Sequence, residues 1–465
     1  MMRSTTPNRS LALCCLLLLI ALVSSLPTPS NLPAVPVSRS TAPSSFLSSA
    51  PLNGGAQDDL AESSVTASVF NLVNNVAGAG LLTLSAGMAK GTGWIPALSI
   101  CTFLGLCSAH SFTLIGRACE LTGEKDFKGL WARTLGERSS SFVDVMVALM
   151  CSAAGVIYSG VLGDVSTELL ASAGFPAKLN GRTSNILIIT AFILLPLSLL
   201  KNLSALAFTS FFGFTSIVYT VLFIAFRWLD GSYALGTGKF VVDELITKPT
   251  FNKNSLLNID FTSLVLASNL GLSYIAHYNA PAYFRELKEK TKFKQMVFTS
   301  FGILTALYAL VMGAGYATFG DTCQGNILLN YHPSDALSTL ARFATLVSIL
   351  VGFPLVFCGI REGVLSILLN SGYKANFELT VLALLSIVTF FSITVADISV
   401  VAGLTGAAMG SMIVYILPAL IYTKSVKGAF GINSAEYSRS KKHLALLPVG
   451  AFLAVFGVMM TLKGE

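Results

Sequence analysis

The chain has 465 residues, of which 53% are hydrophobic and only 11% charged, and it carries a net charge of +7. Soluble domains carry nearer ~25% charged residues, so a string of soluble domains is excluded and one polytopic membrane domain is expected. The basic residues fall in blocks between apolar stretches, which excludes a nucleic-acid surface as the source of the positive charge.

In chain order, residues 1–25 read as a secretory signal. Arg3 and Arg9 precede an apolar run from Leu11 to Val23, and Ser24 and Ser25 offer small residues for cleavage. Residues 26–61 form a Ser-, Pro- and Ala-rich tail, expected to be disordered and similar to a transit peptide. A signal followed by a transit segment suggests a plastid envelope; an endomembrane or vacuolar membrane and the plasma membrane are the other readings. Residues 62–465 are expected to form the transmembrane domain.

Eleven apolar stretches in that domain are long enough to cross a bilayer, near 65–89, 94–118, 142–170, 184–200, 203–226, 261–281, 295–319, 338–368, 377–396, 399–423 and 443–462. The expected fold is therefore an all-α polytopic membrane protein of about eleven helices. Lys and Arg concentrate in every second connection: Arg117 to Arg138 after span 2, Arg285 to Lys294 after span 6, and Lys424 to Lys442 after span 10. The intervening connections are sparse in both, so the even-to-odd connections are assigned to the cytoplasm.

Span 1 carries Asn74, Asn75, Gly78 and Gly80 at its centre, where a helix that only crosses lipid has no use for paired amides. Non-helical backbone at that depth needs protein or a watery cavity to cover it, and interrupted helices of this kind form the sites of secondary transporters. Close helix packing is the competing reading for the glycines. Span 6 is also small and polar at its centre, with Ala267, Ser268, Asn269, Gly271 and Ser273. Asp164 in span 3 is an intramembrane carboxylate, a functional or an outer-surface group. His277 in span 6 suits proton coupling or gating, or a structural bond to a carbonyl. Asp397 reads as a loop marker, Arg361 and Glu362 as a helix end, and Gly403, Gly406 and Gly410 as close-packing positions. The eight cysteines are scattered without zinc spacing.

Several strings align with a known family. SVFNLVNNVAGAGLL at 68–82, YSGVLGD at 158–164, LPLSLLKNLSALAFTS at 195–210, AHYNAPAYFREL at 276–287, GAGYATFGD at 313–321, ILLNY at 327–331 and ILPALIY at 416–422 resemble the amino acid/auxin permease family, closest to its neutral amino acid branch. The resemblance implies a five-plus-five inverted repeat with broken helices 1 and 6, followed by an eleventh helix. It implies a secondary active transporter of neutral amino acids, coupled to a proton or sodium gradient, acting as a monomer in the bilayer without a cofactor. A non-transporting amino-acid sensor on the same scaffold is the alternative.

In that reading the substrate carboxylate takes the backbone N–H groups of Gly78, Ala79 and Gly80 at the positive end of a half-helix. The ammonium takes carbonyls of an unwound stretch at Ala267, Ser268 and Asn269. Asn74 matches the position that helps hold the cation in sodium-coupled relatives. The usual helix-8 hydroxyl partner is missing, since Leu350 and Gly352 stand there and Ser348 lies a turn earlier; this departure favours protons. Ion coupling is accordingly assigned among Asn74, His277, Ser348 and Asp164. The enzyme class lacks support: the residues before Asp164 do not make GxGD, HExxH and GxSxG are absent, and Gly78-Ala79-Gly80 does not complete a dinucleotide fingerprint.

Overall fold

The computed structural model describes residues 63–176, 178, 180–200, 210–241, 249–251, 256–370 and 376–463. The signal-like segment 1–25 and the tail 26–61 lie outside the described residues. Among the described residues the secondary structure is helical, with two isolated backbone bridges.

Span 1 is α1 (Val65–Val76) and α2 (Leu84–Ala89), joined by a 3-10 turn at Ala79–Thr83. Span 2 is α3 (Trp94–Thr122), followed by the short connecting helix α4 (Phe127–Leu135). Spans 3, 4 and 5 are α5 (Ser141–Ser172), α6 (Arg182–Ser198) and α7 (Ser210–Leu229). Span 6 is again two pieces, α8 (Ser263–Ser273) and α9 (Ala280–Glu286). Then come α10 (Phe293–Phe319), α11 (Ala336–Asn370), α12 (Phe377–Thr394) and α13 (Ile398–Phe430). The surface helix α14 (Ala435–Ser440) leads into the last span, α15 (Leu446–Lys463).

Among the described residues seven helices are long and apolar enough to cross a bilayer unaided, and the bent pair of span 1 makes an eighth. The remaining three predicted spans are the shorter α6 and α7 and the broken α8–α9. The broken helices are thus the first and sixth in order, and each opens a set of five. Five is an odd number, so the second set enters the membrane from the opposite side. That is the inverted five-plus-five repeat, with α15 added as the eleventh span.

The outside of the bundle is apolar: Phe192 is 75% exposed, Phe390 61% and Leu222 60%. A continuous exposed apolar surface of this kind is what lipid covers. The chain is an integral multi-pass membrane protein.

Small residues set a close crossing between α8 and α13. A Cβ on Gly406 would stand 1.8 Å from the Ser268 carbonyl oxygen, and one on Gly410 would meet Gly271 at 3.0 Å. Only glycine lets α13 lie this close to α8, and α13 is wound as a wider π segment over Gly406–Ile416 where it crosses. The ends of the broken helices are tied by backbone. Ser63, just before α1, donates to Glu286 O at 2.8 Å and accepts from Lys288 N at 3.0 Å, next to the end of α9. At the other end of the bundle Gly320, at φ +57°, turns the chain so that Asp321 N reaches Thr250 O at 2.7 Å. A Cβ on Gly320 would lie 2.0 Å from that carbonyl oxygen.

One expectation is corrected here. Arg361 does not mark a helix end, because α11 runs on to Asn370. The guanidinium is buried and donates to Ser198 O at 3.1 Å and Leu200 O at 3.0 Å, capping the carbonyl end of α6 instead.

Candidate functional site

The first break forms where sequence withdraws helical support. Glycine lowers helix propensity, and α1 stops at Val76 ahead of Gly78 and Gly80. Ala77 N still bonds to Val73 O at 2.9 Å, but Gly78 N turns back to Val76 O at 2.8 Å and Gly78 is extended, with φ −110° and ψ −161°. The two halves of span 1 are bent by 52°. Ala79 and Gly80 then begin the second half, where the leading N–H groups have no intrahelical acceptor and the helix dipole is positive.

The second break lies about two turns beyond its predicted place. Ala267, Ser268 and Asn269 are inside α8, which stays helical to Ser273. Tyr274 N and Ile275 N still bond back, to Leu270 O at 3.0 Å and Leu272 O at 3.1 Å, and the chain breaks at Ala276, with φ −152° and ψ 3°. Pro281 explains the restart: it has no N–H to return to the turn before it, so α9 begins afresh behind a 3-10 turn at His277–Asn279.

The small polar residues of α8 serve packing rather than unwinding. The Ser268 hydroxyl bonds to its own helix at Leu264 O, 2.7 Å away, and its carbonyl faces Gly406. Asn269 is wholly buried and donates to Thr83 O at 3.3 Å, fastening α8 to the second half of span 1. Ala267 is buried beside them. The carbonyls that come free at the break belong to the end of α8, and Ser273 supplies one.

Tyr308 of α10 joins the two breaks. Its buried hydroxyl donates to Ser273 O at 2.6 Å and stands 3.2 Å from Val76 O. The terminal carbonyls of α1 and α8, both at negative helix ends, thus converge on one point. Gly80 adds to this junction, since a Cβ there would lie 2.9 Å from Ser273 Oγ, itself bonded to Asn269 O. Gly80 is therefore a close-approach glycine. Gly78 faces elsewhere: a Cβ on it would meet the Tyr158 hydroxyl at 3.6 Å, and one on Gly352 of α11 would meet the same ring at 3.5 Å. Half-buried Tyr158 of α5 accordingly stands between the first break and α11.

The residues assigned to ion coupling are not brought together. Asn74 lies half-buried on α1, one turn before Gly78. Ser348 faces α7, where a Cβ on Gly213 would come within 3.4 Å of its hydroxyl. His277 is fully buried, and its Nε2 lies 3.0 Å from both Ser108 O and Ser111 Oγ on α3. Phe112 and Phe301 pack against its ring, so it anchors the second break to α3. Asp164 accepts from Arg182 Nε at 2.7 Å and from Asn326 at 3.4 Å, and Arg182 also reaches Ser392 O at 2.9 Å. That carboxylate is paired and ties α5 to α6 and α12. Asp397, as expected of a loop marker, caps α13 by accepting from Ser399 N at 2.8 Å.

Three residues escaped the sequence reading. Tyr308 sits in an unbroken apolar run with nothing to distinguish it. Tyr158 opens the YSGVLGD string, which was its one signal. His110 lies inside span 2, and its Nε2 is 2.9 Å from Nδ1 of His443 at the start of the last span.

Comparison with known proteins agrees with this architecture. The family model described as transmembrane amino acid transporter protein matches residues 61–463. Solute carrier family 38 member 10 of Mus musculus is 24% identical over 78% of this chain, which covers only 33% of that longer protein. Putative sodium-coupled neutral amino acid transporter 11 of Danio rerio is 25% identical, with 86% of each chain covered. Vacuolar amino acid transporter 5 of Schizosaccharomyces pombe is 25% identical over 80% of this chain and 87% of its own. The chain belongs to the transmembrane amino acid transporter family, a family of transporters and not of enzymes.

Proposed function

We propose that this protein is a secondary active transporter of small or medium neutral amino acids, working by alternating access around the two helix breaks. The observation that carries the reading is the convergence of Val76 O and Ser273 O on the Tyr308 hydroxyl, next to the leading N–H groups of Ala79 and Gly80; the Gly78 N–H expected to join them is instead spent on Val76 O. A zwitterion needs both kinds of partner within a few ångströms. Its carboxylate is bound by the N–H groups of the second half of span 1, and its ammonium by the two converging carbonyls. Neither charge then requires a buried counter-ion. The Tyr308 hydroxyl holds the carbonyl pair when no ammonium is present, and Tyr158 covers the site at Gly78.

Coupling is assigned to a cation held by neutral oxygens, Asn74 among them. The structural bonds of Asp164 to Arg182 and of His277 to Ser108 O support this reading over one in which either group carries the coupled proton. Hard cations take oxygen ligands such as an Asn side chain and backbone carbonyls.

The test is uptake of labelled neutral amino acids by the purified protein in proteoliposomes, with sodium and proton gradients imposed separately. Sodium-driven uptake is expected. Proton-driven uptake would overturn the coupling assignment but keep the transporter. Binding without uptake under either gradient would favour the sensor reading.

A further inference from the structure

A cavity of about 480 Å³ opens at the end of the bundle that the Lys and Arg distribution assigns to the cytoplasm, between the last turns of α3, the end of α13 and α14. This lies within the ~300–1,000 Å³ range of small-molecule sites. It is remote in sequence from both helix breaks and shares no residue with the proposed substrate site. Tyr422, Val426 and Phe430 give it an apolar side. Phe430 is 51% exposed and Ile432 beside it 59%, so the apolar side continues onto the outer surface.

The opposite wall is charged. Arg117, Arg439 and Lys442 line it together with Glu120 and Glu436. Among the described residues none of these five makes an ion pair or a side-chain hydrogen bond, although opposite charges share one cavity. His443, also in the lining, is held in place by His110 and by the face of Tyr422, with ring centroids 5.3 Å apart. Arg117, Arg439 and Lys442, uncommitted and beside the ends of α3 and α13, have the chemistry to take the phosphate of a lipid headgroup. The two carboxylates disfavour a bare phosphate and favour a ligand that also brings hydroxyl donors.

We propose that this cavity binds a phosphorylated polyol headgroup of a lipid in the facing leaflet. Arg117, Arg439 and Lys442 take the phosphates, Glu120 and Glu436 accept from the ring hydroxyls, and Phe430 and Ile432 lie against the glycerol and acyl region. Occupancy would brace α3, α13 and the lead-in to α15 against one another.

The test is titration of the purified full chain in detergent with a short-chain phosphatidylinositol monophosphate, followed by native mass spectrometry. Saturable binding of one equivalent is expected, uncompeted by short-chain phosphatidylcholine. Arg117→Gln, Arg439→Gln and Lys442→Gln together should weaken it about 100-fold. Glu120→Gln with Glu436→Gln should weaken the phosphoinositide while leaving phosphatidic acid, which lacks the hydroxyls, unchanged or tighter. Unaltered binding by the triple variant, or displacement by phosphatidylcholine in the wild type, overturns the site. Equal affinity for water-soluble inositol phosphate overturns the lipid as its source. The competition arms use wild-type protein and stand whether or not the variants fold.

Discussion

The Tyr308 hydroxyl donates to the Ser273 carbonyl at 2.6 Å, at the point where α8 gives way. The same oxygen lies 3.2 Å from Val76 O, at the point where α1 gives way. One side chain from a third helix therefore holds the ends of both interrupted helices. If an ammonium group uses those carbonyls, it must displace or share with this hydroxyl.

Tyr308→Phe removes the shared donor and leaves two buried carbonyls without it. Val76 O keeps the Gly78 N–H at 2.8 Å, so the loss falls on Ser273 O; one such group costs about 1–3 kcal/mol, so a lower melting temperature and an uptake rate reduced by about tenfold or more are expected. Uptake kinetics and a thermal melt check this. Wild-type uptake with a lowered melting point would make Tyr308 purely structural.

Gly78 is a cleaner probe of the substrate position than Gly80. Its φ of −110° suits any L-residue, and a Cβ would only touch Tyr158 at 3.6 Å. Gly78→Val should fill the approach to the N–H groups, abolish uptake and leave the melting temperature near that of the wild type. Gly80→Leu would instead drive into Ser273, 2.9 Å from the position of a Cβ, and destabilise the junction.

Gly406→Ala tests the α8–α13 crossing. Its Cβ would fall 1.8 Å from Ser268 O, which is backbone and cannot swing aside. Overpacking of this kind costs about 1–3 kcal/mol, occasionally more, and the value here should lie at or above the upper end. Fluorescence-detected size exclusion after heating would measure it.

Asp164 and Arg182 should behave as a structural pair. Removing the arginine as Arg182→Ala strands a carboxylate that is 6% exposed, at a cost of about 3 kcal/mol. Asp164→Asn should retain uptake and its pH profile. A pH profile flattened by Asp164→Asn would return that carboxylate to ion coupling.

The broad plan was legible because lipid imposes it. Long apolar runs and the alternation of Lys and Arg suffice to place eleven spans, and Asn74, Asn75, Gly78 and Gly80 announce the first break. The second break was misplaced because Ser268, Asn269 and Gly271 carry the same small, polar signature whether a helix unwinds or another packs against it. What decides is Gly406 and Gly410, far along the chain and visible only once α13 lies on α8. Tyr308 was illegible for a related reason. It bonds to backbone carbonyls 35 and 232 residues away, and a carbonyl leaves no mark in sequence. Asp164 stays open in sequence between a functional and an outer-surface group because its partner, Arg182, lies 18 residues away on another helix.

The most direct test of the central claim is binding of a labelled neutral amino acid by purified wild-type protein and by Gly78→Val matched in melting temperature. Each would be challenged by analogues lacking either the carboxylate or the ammonium. The account predicts saturable wild-type binding that neither analogue displaces, and no binding by Gly78→Val. Equal binding by the variant, or full displacement by an analogue with one charge missing, would contradict a zwitterion site at the helix breaks.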